Sequence, residues 1–187
     1  LYMVDHRDNK REEYVTTGRR AEEKEGPGEV STVSTRRVLF CTDFSENSGP
    51  AMLKAVEFAK AFQAELLILH VVSSRLVGYP TFENTIPLDL EELQRTINER
   101  VKTELEATAA ACRAELGEVK TDVRYGETPA EIVRYADRNS VDLIVMGTHG
   151  WSGIKHVLLG SVAENVLRTA TCPVLTVKAP RGPAAAK

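Results

Sequence analysis

From Arg36 onward, short apolar runs alternate with stretches of helical period. Val38, Leu39, Phe40 and Cys41 form one run, which stops at Thr42 and Asp43. Between residues 48 and 63, Met52, Ala55, Val56, Ala59 and Phe62 recur every three or four positions, which predicts a helix with one apolar face. Residues 66–72 are a second, nearly unbroken apolar run. Gly78, Pro80 and Pro87 mark residues 73–87 as a long loop. Leu90, Leu93, Ile97, Val101, Leu105, Cys112 and Leu116 then step along a long amphipathic helix. Residues 121–125 alternate like an edge strand. Thr128, Pro129 and Glu131 read as a helix start, with Thr128 as cap. Residues 141–146 are a fourth strand ending at Gly147. Ser161 and Glu164 read as a second capping box opening a helix to about Thr169, and residues 173–177 are a fifth strand.

This order, five strands interleaved with four helices, predicts an α/β fold. Continuous apolar strands are those covered on both faces, as in parallel sheets. Right-handed crossovers then give an open, doubly wound five-stranded sheet of Rossmann-like type. In such sheets ligands bind beyond the carboxyl ends of the strands, where the winding reverses. The period is missing from residues 1–35, where charged residues dominate and the few apolar ones are scattered. Such a segment buries too little surface to offset its ordering entropy. It is expected to be a disordered extension, with the folded domain at 36–178 and a frayed tail at 179–187.

Composition narrows the function classes. The 187 residues are 42% hydrophobic, enough for a core, and the formal net charge is −3. That argues against a duplex nucleic-acid binder, which presents a basic face. It leaves nucleotide binding open, because backbone N–H groups hold phosphates without net positive charge. Cys41, Cys112 and Cys172 are far apart and odd in number, and they read as structural thiols. The longest apolar runs are strand-sized, so no membrane helix is expected. No secretory pattern opens the sequence, and a cytoplasmic location follows as the expectation.

The candidate chemistry lies after the fourth predicted strand. Gly147, Gly150 and Gly160, followed by Ser161, give the spacing G-x2-G-x9-G-[ST]. Gly147 would let a base or ribose approach the backbone. Gly150 allows a turn. Gly160 and Ser161 open a helix whose free N–H groups and dipole favour a phosphate. The plain alternatives stand beside these: turn glycines at 147 and 150, and a capping serine at 161.

Together these residues resemble a family. Thr42, Asp43, Phe44 and Ser45 after the first strand, Leu69, His70 and Val71 in the second, the loop from Gly147 to Ser161, and Cys172, Pro173 and Val174 before the end are similar to the ATP-binding universal stress proteins. The likeness spans residues 36–178. It implies the strand order 3-2-1-4-5 and an adenine-nucleotide site. Asp43 would hydrogen-bond the ribose, and Thr42 beside it would belong to the same nucleotide site. The backbone of Val71 would meet the adenine edge, and Met146 and Gly147 would line base and ribose. Gly150, Gly160, Ser161 and Val162 would surround the phosphates of ATP, with Mg2+ or Mn2+ bridging them. His149 is in reach of phosphate or is an exposed loop histidine. A homodimer pairing through Val174–Val177 is also implied. Trp151 departs from the pattern, since a basic residue is common there; Lys155 and His156 are the available substitutes.

No general base stands beside the glycine loop and no Walker lysine is present. ATP is therefore read as a ligand, with at most slow hydrolysis, in a stress or signalling module. The competing reading is a nucleotide-free dimeric module that recruits a partner through its tail or the Trp151 loop. A dinucleotide oxidoreductase would need a glycine fingerprint after the first strand, and Cys41 to Ser45 contain none.

Overall fold

The computed structural model describes residues 2–4, 35–73, 90–148 and 159–179. Its elements are β1 (Tyr2–Val4), β2 (Arg37–Cys41), α1 (Gly49–Phe62), β3 (Glu65–Ser73), α2 (Leu90–Leu116), β4 (Lys120–Gly126), α3 (Thr128–Arg138), β5 (Leu143–Gly147), α4 (Ser161–Thr169) and β6 (Val174–Val177). The strands pair in parallel in the order β1-β6-β5-β2-β3-β4. Counted from β2, the five strands of the 36–178 region stand in the order 3-2-1-4-5. The winding reverses between β2 and β5, where Val38 pairs with Leu143 and Cys41 with Met146.

The pleat explains the two-sided core. Successive side chains of a strand point to opposite faces. Val38, Phe40, Leu66, Ile68 and Val145 pack under α1 and α2, against Ala51, Ala55, Ala59, Leu105, Ala109 and Cys112. Leu39, Cys41, Leu67, Leu69, Ile144 and Met146 pack under α3 and α4, against Ile132, Tyr135, Ala136, Ala163 and Val166. Both faces are thus dry, which is why the strands read as unbroken apolar runs. Among the described residues, no buried side-chain nitrogen or oxygen lacks a hydrogen-bond partner.

The amino end of the sheet is latched by charge. Asp142 Oδ2 accepts the backbone N–H of Arg36 at 2.8 Å and of Arg37 at 3.0 Å. The Arg37 guanidinium donates to the Asn139 carbonyl at 2.6 Å and to Glu65 at 3.3 Å. Lys120 pairs with the other Glu65 oxygen. Lys120, and then Arg37, hold the Glu65 carboxyl below the usual carboxylate range.

Several local expectations need correction. Phe62, assigned to the buried face of α1, is 46% exposed and stacks on Phe58 with ring centroids 5.6 Å apart. The stripe on α2 buries only from Val101 onward, and Leu93 is 40% exposed. A helix of 27 residues extends about 40 Å, further than the sheet can cover. The caps differ too. Glu127, not Thr128, caps α3, its carboxylate accepting the Ala130 N–H at 3.0 Å. The cap of α4 is Gly160, so Ser161 is the first helical residue rather than the cap.

Within the extension expected to lack order, Tyr2–Val4 is a strand on the outer side of β6. Residues 5–34 lie outside the described residues. So do the rest of the expected 73–87 loop beyond Ser73, the glycine-loop residues His149, Gly150, Trp151, Lys155 and His156, and the tail beyond residue 179.

The corrected cap yields a test. Glu127→Ala should cost roughly 1 kcal/mol of stability in urea unfolding, the usual worth of an N-cap. Thr128→Ala should stay within about 0.5 kcal/mol of the wild type, as surface substitutions do. A larger loss at Thr128 would return the cap to that residue.

Candidate functional site

The site is built from three chain segments that meet at the carboxyl end of the sheet. The first follows β2. Thr42 is 7% exposed and fixed through every polar atom. Its N–H donates to the Leu69 carbonyl at 3.0 Å, prolonging the β2–β3 ladder by one step. Its carbonyl accepts the Nδ1–H of His70 at 2.9 Å. Its hydroxyl oxygen accepts the Phe44 N–H at 3.0 Å and lies 3.2 Å from the Ser48 hydroxyl. Thr42 is thereby the post on which the next turn hangs.

That turn holds Asp43 half-buried. Asp43 Oδ1 accepts the Ser45 N–H at 3.1 Å and the Ser45 hydroxyl at 2.6 Å. This is an Asx turn, which a short carboxylate side chain forms with the backbone two residues on. Phe44 pays for the tightness of the bend with φ +63°, a region that bulky residues seldom occupy. Its ring is held against His70, with centroids 4.3 Å apart and planes 23° from parallel. The turn Glu46–Ser48 then runs against β5, so the Asp43 loop leans over the reversal point.

The second segment ends β3. Leu69 pairs with Cys41, which sets Val71 level with Asp43. The Val71 side chain packs with the α3/α4 core. What Val71 offers a ligand is its main chain.

The third segment leaves β5 and returns as α4. The Met146 side chain is buried in the core beneath α3 and α4. Thr148, 2% exposed, ties both ends of the loop. Its N–H donates to the Val177 carbonyl at 3.0 Å, and its carbonyl accepts the Gly160 N–H at 2.8 Å. Gly160 therefore sits directly over the end of β5. The first intrahelical bond of α4 runs from Glu164 N–H to the Gly160 carbonyl at 2.9 Å. The N–H groups of Ser161, Val162 and Ala163 precede it and have no acceptor within the helix. The Val162 side chain packs into the core, and Ser161 is exposed.

Of the ten residues singled out from the sequence, eight are described, and all eight lie at this one end. Thr42, Asp43 and Val71 come from the β2 and β3 side. Met146, Gly147, Gly160, Ser161 and Val162 come from the β5 side. His149 and Gly150 fall outside the described residues. Sequence reasoning missed Thr148, whose neighbours in the chain give no sign that it closes the loop. It also missed the partnership of Phe44 with His70. Burial, and then Cys172, push the Cys41 thiol far above its ordinary range, which disfavours the nucleophilic thiolate.

Burial draws the His70 pKa below its ordinary value near 6.5; the Thr42 hydrogen bond and the Asp43 charge oppose this and do not outweigh it. The neutral ring is the native form, with Nδ1 carrying the proton. A histidine that binds protons less readily when folded supplies stability above its unfolded pKa. That stability is lost as pH falls from about 6.5 toward the folded value. His70→Asn retains a donor for the Thr42 carbonyl and cannot titrate. Urea unfolding at pH 5 and pH 7.5 should show a smaller pH difference in His70→Asn than in the wild type. Equal differences would remove His70 from this role.

The chain's relatives share this plan. The universal stress protein family matches residues 34–178. Universal stress protein MJ0531 of Methanocaldococcus jannaschii is 37% identical over 150 residues, covering 78% of this chain and 84% of that protein. The solved structure of MJ0577, from the same organism, superposes with a TM-score of 0.65 at 30% identity, covering 80% of this chain and all of that one. A universal stress protein solved in complex with cAMP superposes at 0.58 with 25% identity, covering 78% of this chain and 98% of that one. With its fold, its strand order and most of its length matched, the chain belongs to the universal stress protein family.

Proposed function

We propose that this chain binds ATP at the carboxyl end of its sheet and uses it as a conformational ligand in stress signalling. The observation that carries the reading is the 2.8 Å bond from Gly160 N–H to Thr148. It sets the mouth of α4 over the end of β5, beside the strand that leads to Asp43. Phosphates would meet the N–H groups of Ser161, Val162 and Ala163, and the positive end of the α4 dipole. The Ser161 hydroxyl adds a donor, since capping does not claim it. Asp43, steadied by Ser45, would accept from the ribose. The backbone of Val71 would edge the adenine, and Gly147 leaves room at the ribose. Gly150 would join Gly160, Ser161 and Val162 around the phosphates, with His149 as a further phosphate contact.

The cAMP complex of a relative supports an adenine nucleotide as the ligand class. ATP is favoured by the long glycine spacing, which leaves a helix mouth for the outer phosphates. Mg2+ or Mn2+ would bridge phosphate oxygens rather than rest on a protein cage. The reading takes ATP as a ligand with at most slow hydrolysis, in keeping with a glycine loop that carries no Walker lysine. A ligand that favours one conformation shifts the population toward it, and this is the form that signalling would take. The cytoplasm, where ATP is abundant, suits this role. Among the described residues no helix is long and apolar enough to cross a membrane.

Calorimetric titration with ATP and Mg2+ should give saturable heat at submillimolar nucleotide. Gly160→Val, which sets a branched side chain at the helix mouth, should abolish that heat while circular dichroism stays unchanged. Asp43→Ala should weaken binding about 10- to 100-fold, the worth of one charged hydrogen bond. Absence of heat from the wild type, or full binding by Gly160→Val, would overturn the reading.

A further inference from the structure

His70 grips the Asp43 turn from the neighbouring strand. Its Nδ1–H donates to the Thr42 carbonyl at 2.9 Å. Its ring stacks on Phe44, with centroids 4.3 Å apart. Thr42 and Phe44 are the residues on either side of Asp43 in the chain. Val71, whose main chain would meet the base, is the residue after His70. One imidazole therefore ties the ribose contact to the base contact. From β4, Val123 stands opposite His70, and Tyr125, next on that face, donates its hydroxyl to Asn98 of α2 at 2.8 Å. Asp122 and Arg124 alternate to the other face of β4 and pair with each other. Among the described residues, those of α1 and α2 included, Asp43 is the charged group that acts on the ring.

We propose that His70 is a positioning residue of the nucleotide site and holds it in register only as the neutral imidazole, so that nucleotide affinity falls in acid. The inference rests on the nucleotide reading and deepens it. Protonation adds an N–H at Nε2 and a positive charge beside Asp43. A half-buried cation draws toward water or toward a carboxylate. Movement toward water takes the ring off Phe44. Attraction to Asp43 engages the carboxylate that would accept from the ribose. Either change weakens the ribose contact. Phe44 sharpens the effect, because φ +63° persists only while its surroundings hold it. Burial already disfavours the imidazolium, so the neutral form prevails at neutral pH. A nucleotide that favours the neutral ring binds less well as pH falls below about 6.5. By the reciprocity of linkage, bound nucleotide makes the ring harder to protonate.

The test is calorimetric titration of the full chain with ATP and Mg2+ at pH 7.5 and pH 5, in the wild type and in His70→Asn. The variant keeps a donor for the Thr42 carbonyl and has no imidazole to protonate. A terminal phosphate itself titrates at about pH 6, and that contribution is common to both proteins. The wild type should lose about five- to tenfold more affinity than the variant between the two pH values. A second reading needs no variant: ATP should lower the titration midpoint of the His70 ring in proton NMR. A nearby polyphosphate acting by charge alone would raise it. Heat at pH 7.5 with equal acid losses in both proteins, or a midpoint that ATP leaves unchanged or raises, would overturn the inference and leave nucleotide binding standing. No heat from the wild type at pH 7.5 would overturn the nucleotide reading itself, and this inference with it.

Discussion

One hydrogen bond organises the carboxyl end of the sheet: the Gly160 N–H on the Thr148 carbonyl. The chain leaves β5 after Gly147 and must come back to begin α4. Without a fastening, the helix mouth could settle anywhere above the sheet. The bond joins the two ends of the excursion at the reversal point, and Thr148 passes the restraint on to β6 through the Val177 carbonyl. The amino end of α4 is thereby held at the end of β5, at the same end of the sheet as the Asp43 turn. A nucleotide site needs both halves at fixed separation, because preorganised donors cost nothing to arrange when the ligand arrives.

The Asp43 half is fixed by different means. Thr42 is bonded through its amide, carbonyl and hydroxyl, and His70 holds it from β3. Phe44 sits in a left-handed conformation because these bonds and the His70 ring over-determine the turn. Backbone strain persists only where the surroundings enforce it, and it gathers at functional sites. The described residues on both sides of the reversal point are thus held by hydrogen bonds, while the side chains of Val71, Met146 and Val162 pack into the core.

Much of this was legible in the sequence. Two-sided burial writes strands as unbroken apolar runs, so the five strands of the 36–178 region and their helices could be read directly. Gly147, Gly160 and Asp43, read from the sequence, stand at the carboxyl end of the sheet. The errors share a cause. A propensity identifies a helix start within a residue or two, but the carboxylate that reached an amide was Glu127 rather than its neighbour Thr128. Periodicity told which face of α1 and α2 is apolar, not how far the sheet extends beneath it; hence the exposure of Phe62 and Leu93. β1 was invisible because its pairing is wholly non-local. Nothing in Tyr2, Met3 and Val4 says that Leu175 to Val177 needs a neighbour.

The charged latch at the opposite end gives the sheet a polarity of another kind. Asp142 clamps two amides at the start of β2, and Glu65 joins the starts of β2, β3 and β4 through Arg37 and Lys120. The fold therefore resembles a book bound along one spine. Its pages can be rewritten at the open margin, where loops change length and sequence, without loosening the binding. Residues at the carboxyl end can therefore change without touching the bonds that hold the strands together at the amino end.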